Sequence, residues 1–434
     1  MKYILGIIVL GLVVLFHEFG HFLLARLNHI VVEEFAIGMG PILLKHKSKK
    51  SGTVYALKLL PFGGSCAMLN EDEGEKIEGS FIGAALWRRM LVVAAGPVFN
   101  FILAFLLSVL VIGLTGAEPA TVMEVGKGSP EEAAGLRRGD VITSFEGRGI
   151  ANSRELYFDQ LIKESPTDHI DLTVERNGKR ISIGYQPETV TRYMLGFNYD
   201  SNTEGDGVLI TMVSKGSAMK KAGIRIGDII TAVNGTEVKS QEELYNYFQK
   251  HPLDGSKVNI TYERNGHEKT AKGLVPAKVT RPVSNFTYNA ARQKVGWIGV
   301  LQYSAGEVLF WIRVTIKTIG GMFSGTFSIN DMSGPVGIVK TVGDAYGTVA
   351  KTVDVFSAIL TLIGIMTMIS ANLGFMNLIP LPALDGGRLL LMVIEAIRRK
   401  PGNQELEANI NFYGLLALLA FMVYVTIHDL FRLF

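Results

Sequence analysis

The sequence predicts a polytopic α-helical membrane protein of about four transmembrane helices, with a membrane-associated β-hairpin and a duplicated α/β insertion. Three observations carry this. Four long stretches are uncharged or nearly so, and the segment between the second and third repeats itself at one fixed spacing. Composition also leans apolar: 48% of the 434 residues are hydrophobic, and the mean hydropathy is +0.27. Charge is balanced, with 43 basic against 40 acidic residues and a formal net +3, which gives no support for nucleic-acid binding. Cys66 is the only cysteine, which excludes an intramolecular disulfide or a cysteine-built metal site. It reads as a structural thiol, and any metal must use nitrogen and oxygen ligands.

The first apolar stretch covers 4–16 and continues to about residue 27. Lys2 is a thin basic start, and a polar His-Glu-Phe-Gly-His run follows in place of a small-residue cleavage site, so a retained span is expected. The second, 90–114, holds no charge in 25 residues, enough at about 1.5 Å per residue to cross a hydrocarbon core of about 30 Å. The third lies between Asp354 and Asp385, and the fourth covers 410–427. Expected segments are transmembrane helices at 1–27, 90–115, 355–387 and 410–432, with a hairpin-bearing loop at 28–89. Of the short loops and termini, 28–89 and 385–410 (Arg388, Arg398, Arg399, Lys400) carry the lysine and arginine, while the termini offer little beyond Lys2 and Arg432. The positive-inside bias puts these short loops in the cytoplasm, both termini outside, and 117–353 outside as well.

The long segment carries the duplication. Gly128-Ser129-Pro130 recurs as Gly216-Ser217-Ala218, and Gly139-Asp140 recurs as Gly227-Asp228. Glu155-Leu156-Tyr157 answers Glu243-Leu244-Tyr245, and Arg176-Asn177-Gly178 answers Arg264-Asn265-Gly266. Every pair is 88 residues apart, so two copies of one small domain are expected, at 117–200 and 201–303. Each should run strand, short helix, Gly-Asp turn, strand, second helix and a hairpin closed at Asn-Gly. The Gly-Ser-Pro…Ala-Gly-Leu…Gly-Asp-Val-Ile string resembles the PDZ domain family. That resemblance implies capture of extended peptide ends by strand addition, with a C-terminal carboxylate on the amides of an apolar-Gly-apolar loop. Candidate loops are Leu195-Gly196-Phe197 and Ile298-Gly299-Val300. The full fold class is thus a polytopic α-helical membrane protein with a β-hairpin and two inserted PDZ-like α/β domains.

His17-Glu18-Phe19-Gly20-His21 is the sharpest chemical signal. On a helix, residues i and i+4 share a face, so both imidazoles can reach one ion, with Glu18 beside them to activate water. Ionisable groups in a transmembrane helix cost about 2.5–3.5 kcal/mol each on insertion scales, and a divalent cation compensates several at once. Catalytic zinc takes three protein ligands and keeps one position open. Asp385 is the candidate third ligand, in Asn377-Leu-Ile-Pro380-Leu-Pro382-Ala-Leu-Asp385-Gly-Gly387. Pro380 and Pro382 forbid a regular helix there. Unwound backbone at membrane depth must be buried in protein or line a wet cavity. Depth counting puts His17 and His21 in the inner half of span one and Asp385 at the inner end of span three.

Together, this motif, Gly96-Pro97-Val-Phe-Asn100, Ser333-Gly334-Pro335 and the Asn-x-x-Pro-x-Pro-x-Leu-Asp-Gly run resemble the site-2 protease family. With the inserted pair of domains, the chain is most similar to its bacterial regulator of sigma-E protease group. The resemblance covers nearly the whole chain. It implies zinc held by His17, His21 and Asp385, Glu18 as catalytic base, and Asn377 near the substrate. There Asn377 either donates to the developing oxyanion or caps the unwound backbone. Arg388 departs from the pattern, since many relatives carry His after Gly-Gly. The implied substrates are single-pass membrane proteins, anti-sigma factors or signal-peptide-like remnants. They would be cut in or near the transmembrane segment after a first cut, in regulated intramembrane proteolysis at the bacterial cytoplasmic membrane.

Substrate handling also leaves marks. Segments 31–37 and 53–60 read as strands, ended by the breakers Gly38-Met-Gly40-Pro41 and Pro61-Phe-Gly63-Gly64. Either an edge of this hairpin dips toward the bilayer and pairs with unwound substrate, or the hairpin packs on span one from the solvent side. Residues 304–350 hold an expected interfacial amphipathic helix at 305–323, with Trp311 beside Arg313 and Lys317. The outer domain pair is expected to admit trimmed substrates, by steric exclusion, by reading a new C-terminus, or both. Two other classes compete. A silent scaffold is disfavoured by the intact His17, Glu18, His21 and Asp385 set, and a transporter by the lack of paired membrane repeats. His29, His46, His169, His251, His267 and His428 have no partner spacing and read as surface or boundary residues.

Overall fold

The computed structural model describes residues 2–71, 76–162, 168–201, 206–214, 216–289, 291–324, 334–400 and 404–433. Contacts divide it into one unit of Met1–Ala117, Arg292–Gly320 and Ser328–Phe434, and another of Glu118–Ala291 and Gly321–Phe327.

The first unit opens with α1 (Lys2–Leu27), an apolar helix. It stops where Ile30 N reaches back to Ala25 O at 2.9 Å and His29 turns to φ 63°, a left-handed helix ending. Then come β1 (Val32–Lys47) and β2 (Val54–Met68). The glycines and prolines expected to end these strands do not. Instead the strands run 16 and 15 residues with repeated register shifts. Gly38, Gly40 and Gly63 take φ of 85°, 86° and 79° at the bends, which an L side chain resists. As a result Phe35 pairs with both Tyr55 and Cys66. Each strand therefore contributes two segments, in the order 42–47, 54–58, 34–37 and 64–68. Among the described residues nothing pairs with the outer side of 64–68.

α2 (Leu86–Thr115) follows, starting four residues before the expected span. It meets α1 at close range. A Cβ at Gly20 would sit 2.5 Å from Ala95 O, so only glycine admits this approach.

In the second unit the repeat becomes geometry. Its first half holds β3 (Ala120–Val125), α3 (Pro130–Ala133), β4 (Val141–Phe145), β5 (Arg148–Gly149), α4 (Ser153–Ile162), β6 (Ile170–Arg176) and β7 (Lys179–Tyr185). After β8 (Thr189–Met194) and β9 (Phe197–Ser201), the pattern returns. It runs β10 (Val208–Val213), α5 (Ala218–Lys221), β11 (Ile229–Val233), β12 (Thr236–Glu237), α6 (Gln241–Lys250), β13 (Val258–Arg264) and β14 (His267–Leu274). β15 (Ala277–Pro282) pairs with β8, and β16 (Phe286–Asn289) pairs with β3.

The repeated landmarks turn out to be one set of contacts made twice. Asp140 takes Arg176 Nε at 2.6 Å and Arg137 N at 2.8 Å. Asp228 takes Arg264 Nε at 2.6 Å and Arg225 N at 2.7 Å. Glu155 and Glu243 reach back past the capping residues Asn152 and Ser240 to bond Ala151 N and Lys239 N. Asn177-Gly178 and Asn265-Gly266 hold the positive φ pairs of two-residue hairpins. Each module has its own core, around Ile142, Leu156 and Leu172 in one and Ile210, Ile230 and Leu244 in the other.

Two expectations need correction. The modules are nested, not tandem. β9 begins on the first side of the expected 200/201 boundary and crosses it to pair with β10, and the first sheet is completed only by β16. Ile298-Gly299-Val300 is not a loop, because it lies in α7 (Trp297–Ser324). That helix starts before 305 and packs Val308 and Trp311 with Ala104 and Ala371.

Asp228 is 1% exposed while Arg264 keeps about a fifth of its side chain in water. Asp228→Ala should therefore destabilise its module by on the order of 3 kcal/mol, the low end for a broken buried pair. Hydrogen exchange should show β10–β14 losing protection while β3–β7 keep theirs; equal loss in both would refute local stabilisation.

Returning to the first unit, α8 (Pro335–Thr352) begins at Gly334, and Asp429 caps it. The two carboxylate oxygens take Gly334 N at 3.0 Å and Gly337 N at 2.8 Å. Ser333 of that motif lies outside the described residues. α9 (Val355–Leu378), α10 (Asp385–Arg398) and α11 (Gln404–Leu433) complete the chain. Among the described residues, four helical segments are long and apolar enough to cross a membrane: Tyr3–Leu27, Leu86–Thr115, Val355–Leu378 and Ala408–Ile427. The third therefore ends at Leu378, not 387. Pro380 and Pro382 break it, and Asp385 starts a separate helix instead of closing span three.

Candidate active site

α1 presents His17 and His21 one turn apart, 7% and 9% exposed. Asp385 reaches them from the first turn of α10. The turn before it is tight: Ala383 adopts φ 67°. A Cβ at Gly386 would strike the carbonyls of Leu378 and Ile379, and one at Gly387 the carbonyl of Leu381. These two glycines let the new helix start directly against the unwound segment, which aims the carboxylate back at α1.

Three potential ligand atoms face each other. His17 Nε2 and His21 Nε2 are 3.2 Å apart, and Asp385 Oδ2 lies 3.1 Å from the first and 3.4 Å from the second. This is the one group of three or more potential ligands among the described residues. His29, His46, His169, His251 and His267 are not in it, and the His428 side chain lies outside the described residues.

A divalent cation fits this donor set on three grounds. Asp385 Oδ2 is buried yet aligned with no hydrogen-bond partner despite its short distances. His21 Nδ1 donates to Val92 O at 2.9 Å, which leaves its Nε2 as a bare lone pair. And Gly96 leaves the space: a Cβ there would overlap His21 Nε2 and come 2.7 Å from His17 Cε1. Asn100, which the sequence marks only as part of the Gly96-Pro97-Val-Phe-Asn100 motif, adds a partner. Fully buried, its amide sits 3.2 Å from His17 Nδ1, and its Oδ1 is otherwise unpaired. Turning the amide lets Oδ1 accept from Nδ1–H and frees His17 Nε2 for metal. An asparagine in an otherwise apolar span was the available signal.

The cluster opens into a cleft of about 420 Å³ that Glu18, Asn377, Arg388, Glu71 and the 64–68 segment also line. Glu18 lies beside Gly64, where a Cβ would come within 2.9 Å of its Cγ. Asn377 Nδ2 is 3.4 Å from His17 Nε2. Cys66 lines the cleft but is not among the clustered ligands. Such a site can hold a metal, keep a carboxylate beside it, and admit an extended chain along one strand.

A family model described as peptidase family M50 matches residues 5–421. The zinc metalloprotease RasP of Bacillus licheniformis is 32% identical over 449 residues, spanning 99% of this chain and 98% of that protein. The zinc metalloprotease RasP of Geobacillus kaustophilus is 30% identical, spanning 99% and 97%.

Proposed function

Because the chain belongs to peptidase family M50, the site-2 protease family, we propose that it cuts single-pass membrane proteins in or beside their transmembrane segments. It is a zinc metalloprotease of a bacterial inner membrane. The observation that carries the finer reading is the meeting of His17, His21 and Asp385 beside Glu18.

In this reading His17, His21 and Asp385 hold zinc, with Asn100 and the Val92 carbonyl orienting the imidazoles. When bound, the metal supplies Lewis acidity to the scissile carbonyl and to water. Glu18 takes the proton from the attacking water and returns it to the leaving amine. Asn377 is read as an oxyanion donor; its amide lies 3.4 Å from His17 Nε2, beside the three potential ligands, and this placement supports the role over capping.

A transmembrane helix hides its peptide bonds in its own hydrogen-bond ladder, so the substrate must be unwound. The free side of 64–68 is read as the edge to which it adds as a strand. The two modules of the outer segment are read as PDZ-like selectors, with β9 and β16 as their exposed edges. Gly196, at φ 80° just before β9, suits a carboxylate loop. In the first module Asn285 holds that place, since Gly126 N bonds Asn285 O as Ser214 N bonds Gly196 O. Short loops face the cytoplasm, and the substrates are anti-sigma factors or signal-peptide remnants left by a first cut.

The test uses purified protein and one single-pass substrate, with and without its outer domain. Chelation should stop cleavage, zinc should restore it, and the trimmed form should be cut faster. Successive N–H groups along a strand point to opposite edges, so proline at Ser65 in one variant and Cys66 in another probes both. One of them should lower turnover about tenfold with zinc unchanged. Unaltered turnover in both would retire strand addition.

A further inference from the structure

The first turns of α10 hold a second contact besides Asp385. Arg388, three residues on, forms an ion pair through Nη1 with Glu71 Oε1. The other oxygen of Glu71 accepts Met68 N at 3.2 Å. Met68 closes β2. It pairs with Val32 and is 6% exposed, packed with Ala25, Phe81, Val92 and Met392. Glu71 and Arg388 line the same cleft as His17, Glu18, Gly64 and Asp385. Two turns further along α10, Glu395 meets Arg89 of α2 at 2.9 Å, so the helix is itself fixed to the scaffold.

We propose that Glu71 and Arg388 are positioning residues that clamp the end of the 64–68 segment to the helix carrying Asp385, setting the register in which a substrate strand meets the metal centre. This rests on the strand-addition reading above.

The physical need is specific. An edge strand is paired on one side only, and a slip of one residue turns every side chain of an added strand to the opposite face. One carboxylate that binds a backbone N–H of the strand and a guanidinium of the ligand helix links the two with charge-assisted, directional bonds. Arginine suits this better than lysine because its donors are fixed in a planar fork. It also gives a reason for arginine, rather than lysine, at 388.

The test is a double-mutant cycle on the full-length protein: Glu71→Gln, Arg388→Gln, both together, and Arg388→Lys. Each is assayed for zinc per chain, kcat, KM and the distribution of scissile bonds on one trimmed substrate. Each single Gln variant should lower kcat/KM about tenfold, mostly through KM, and spread cleavage over neighbouring bonds. The double variant should be no worse than either single one, as for two residues acting as one unit. Arg388→Lys keeps the charge and should recover part of the loss. Zinc should stay at the wild-type level throughout. Multiplying effects, or an unmoved scissile bond and KM, would overturn the clamp, as would zinc loss in both Arg388 variants. The proline variants at Ser65 and Cys66 separate the two ideas. If they bite while the cycle multiplies, only the clamp fails; if they do nothing, strand addition fails and the clamp with it.

Discussion

Glu18→Gln should lower kcat by about 10²–10⁴-fold, the range for losing a general acid–base group, while zinc per chain stays at the wild-type value. The geometry separates the two effects. Glu18 lines the cleft but stands outside the His17, His21 and Asp385 group. The amide keeps the volume that fits against Gly64. What it loses is the ability to take a proton from water and return it to the amine. That interaction exists only on the way to the transition state, so KM should hardly move while kcat and kcat/KM fall together. Zinc is measured by elemental analysis of detergent-purified protein, and kinetics on the trimmed substrate. Retained turnover within a factor of about two would remove Glu18 from the base role. Lost zinc would instead make it a ligand.

Much of this site was legible because its chemistry is expensive in lipid. A His-Glu-Phe-Gly-His run has few uses inside a span, and paired prolines before Asp385 signal unwound backbone. What the linear pattern could not carry was where chain segments return in space. Gly38, Gly40 and Gly63 looked like strand ends because breakers usually end strands, yet here positive φ bends two long strands into four segments. That rearrangement is what leaves 64–68 as an edge along the cleft. The 88-residue offset exposed a duplication but not its nesting. The strand that closes the first sheet, Phe286–Asn289, lies beyond the whole second copy. Asn100 and Val92 lie 83 and 71 residues from the histidines they contact, and no spacing rule spans that distance. Ion pairs behave alike: Asp228 and Arg264 were visible as landmarks, while their contact was not.

Asp385→Asn should give the opposite signature to Glu18→Gln, with zinc and proteolysis lost together. Asp385 Oδ2 stands 3.1 and 3.4 Å from the two imidazole nitrogens and has no other partner among the described residues. The amide keeps size and shape but carries no charge, and a divalent ion then meets two neutral nitrogens and one neutral group. Because metal binds the folded site, its loss also appears as stability. Zinc at a hundred times its Kd adds about 2.7 kcal/mol, so chelation should lower the wild-type Tm. In Asp385→Asn, adding or removing zinc should leave Tm where it is. The Tm comparison needs no substrate, so it tests the ligand role apart from any assumption about what the enzyme cuts. Equal zinc content in variant and wild type would show that Asp385 is not a ligand. A zinc-free variant that still cleaved would break the link between this cluster and the chemistry altogether.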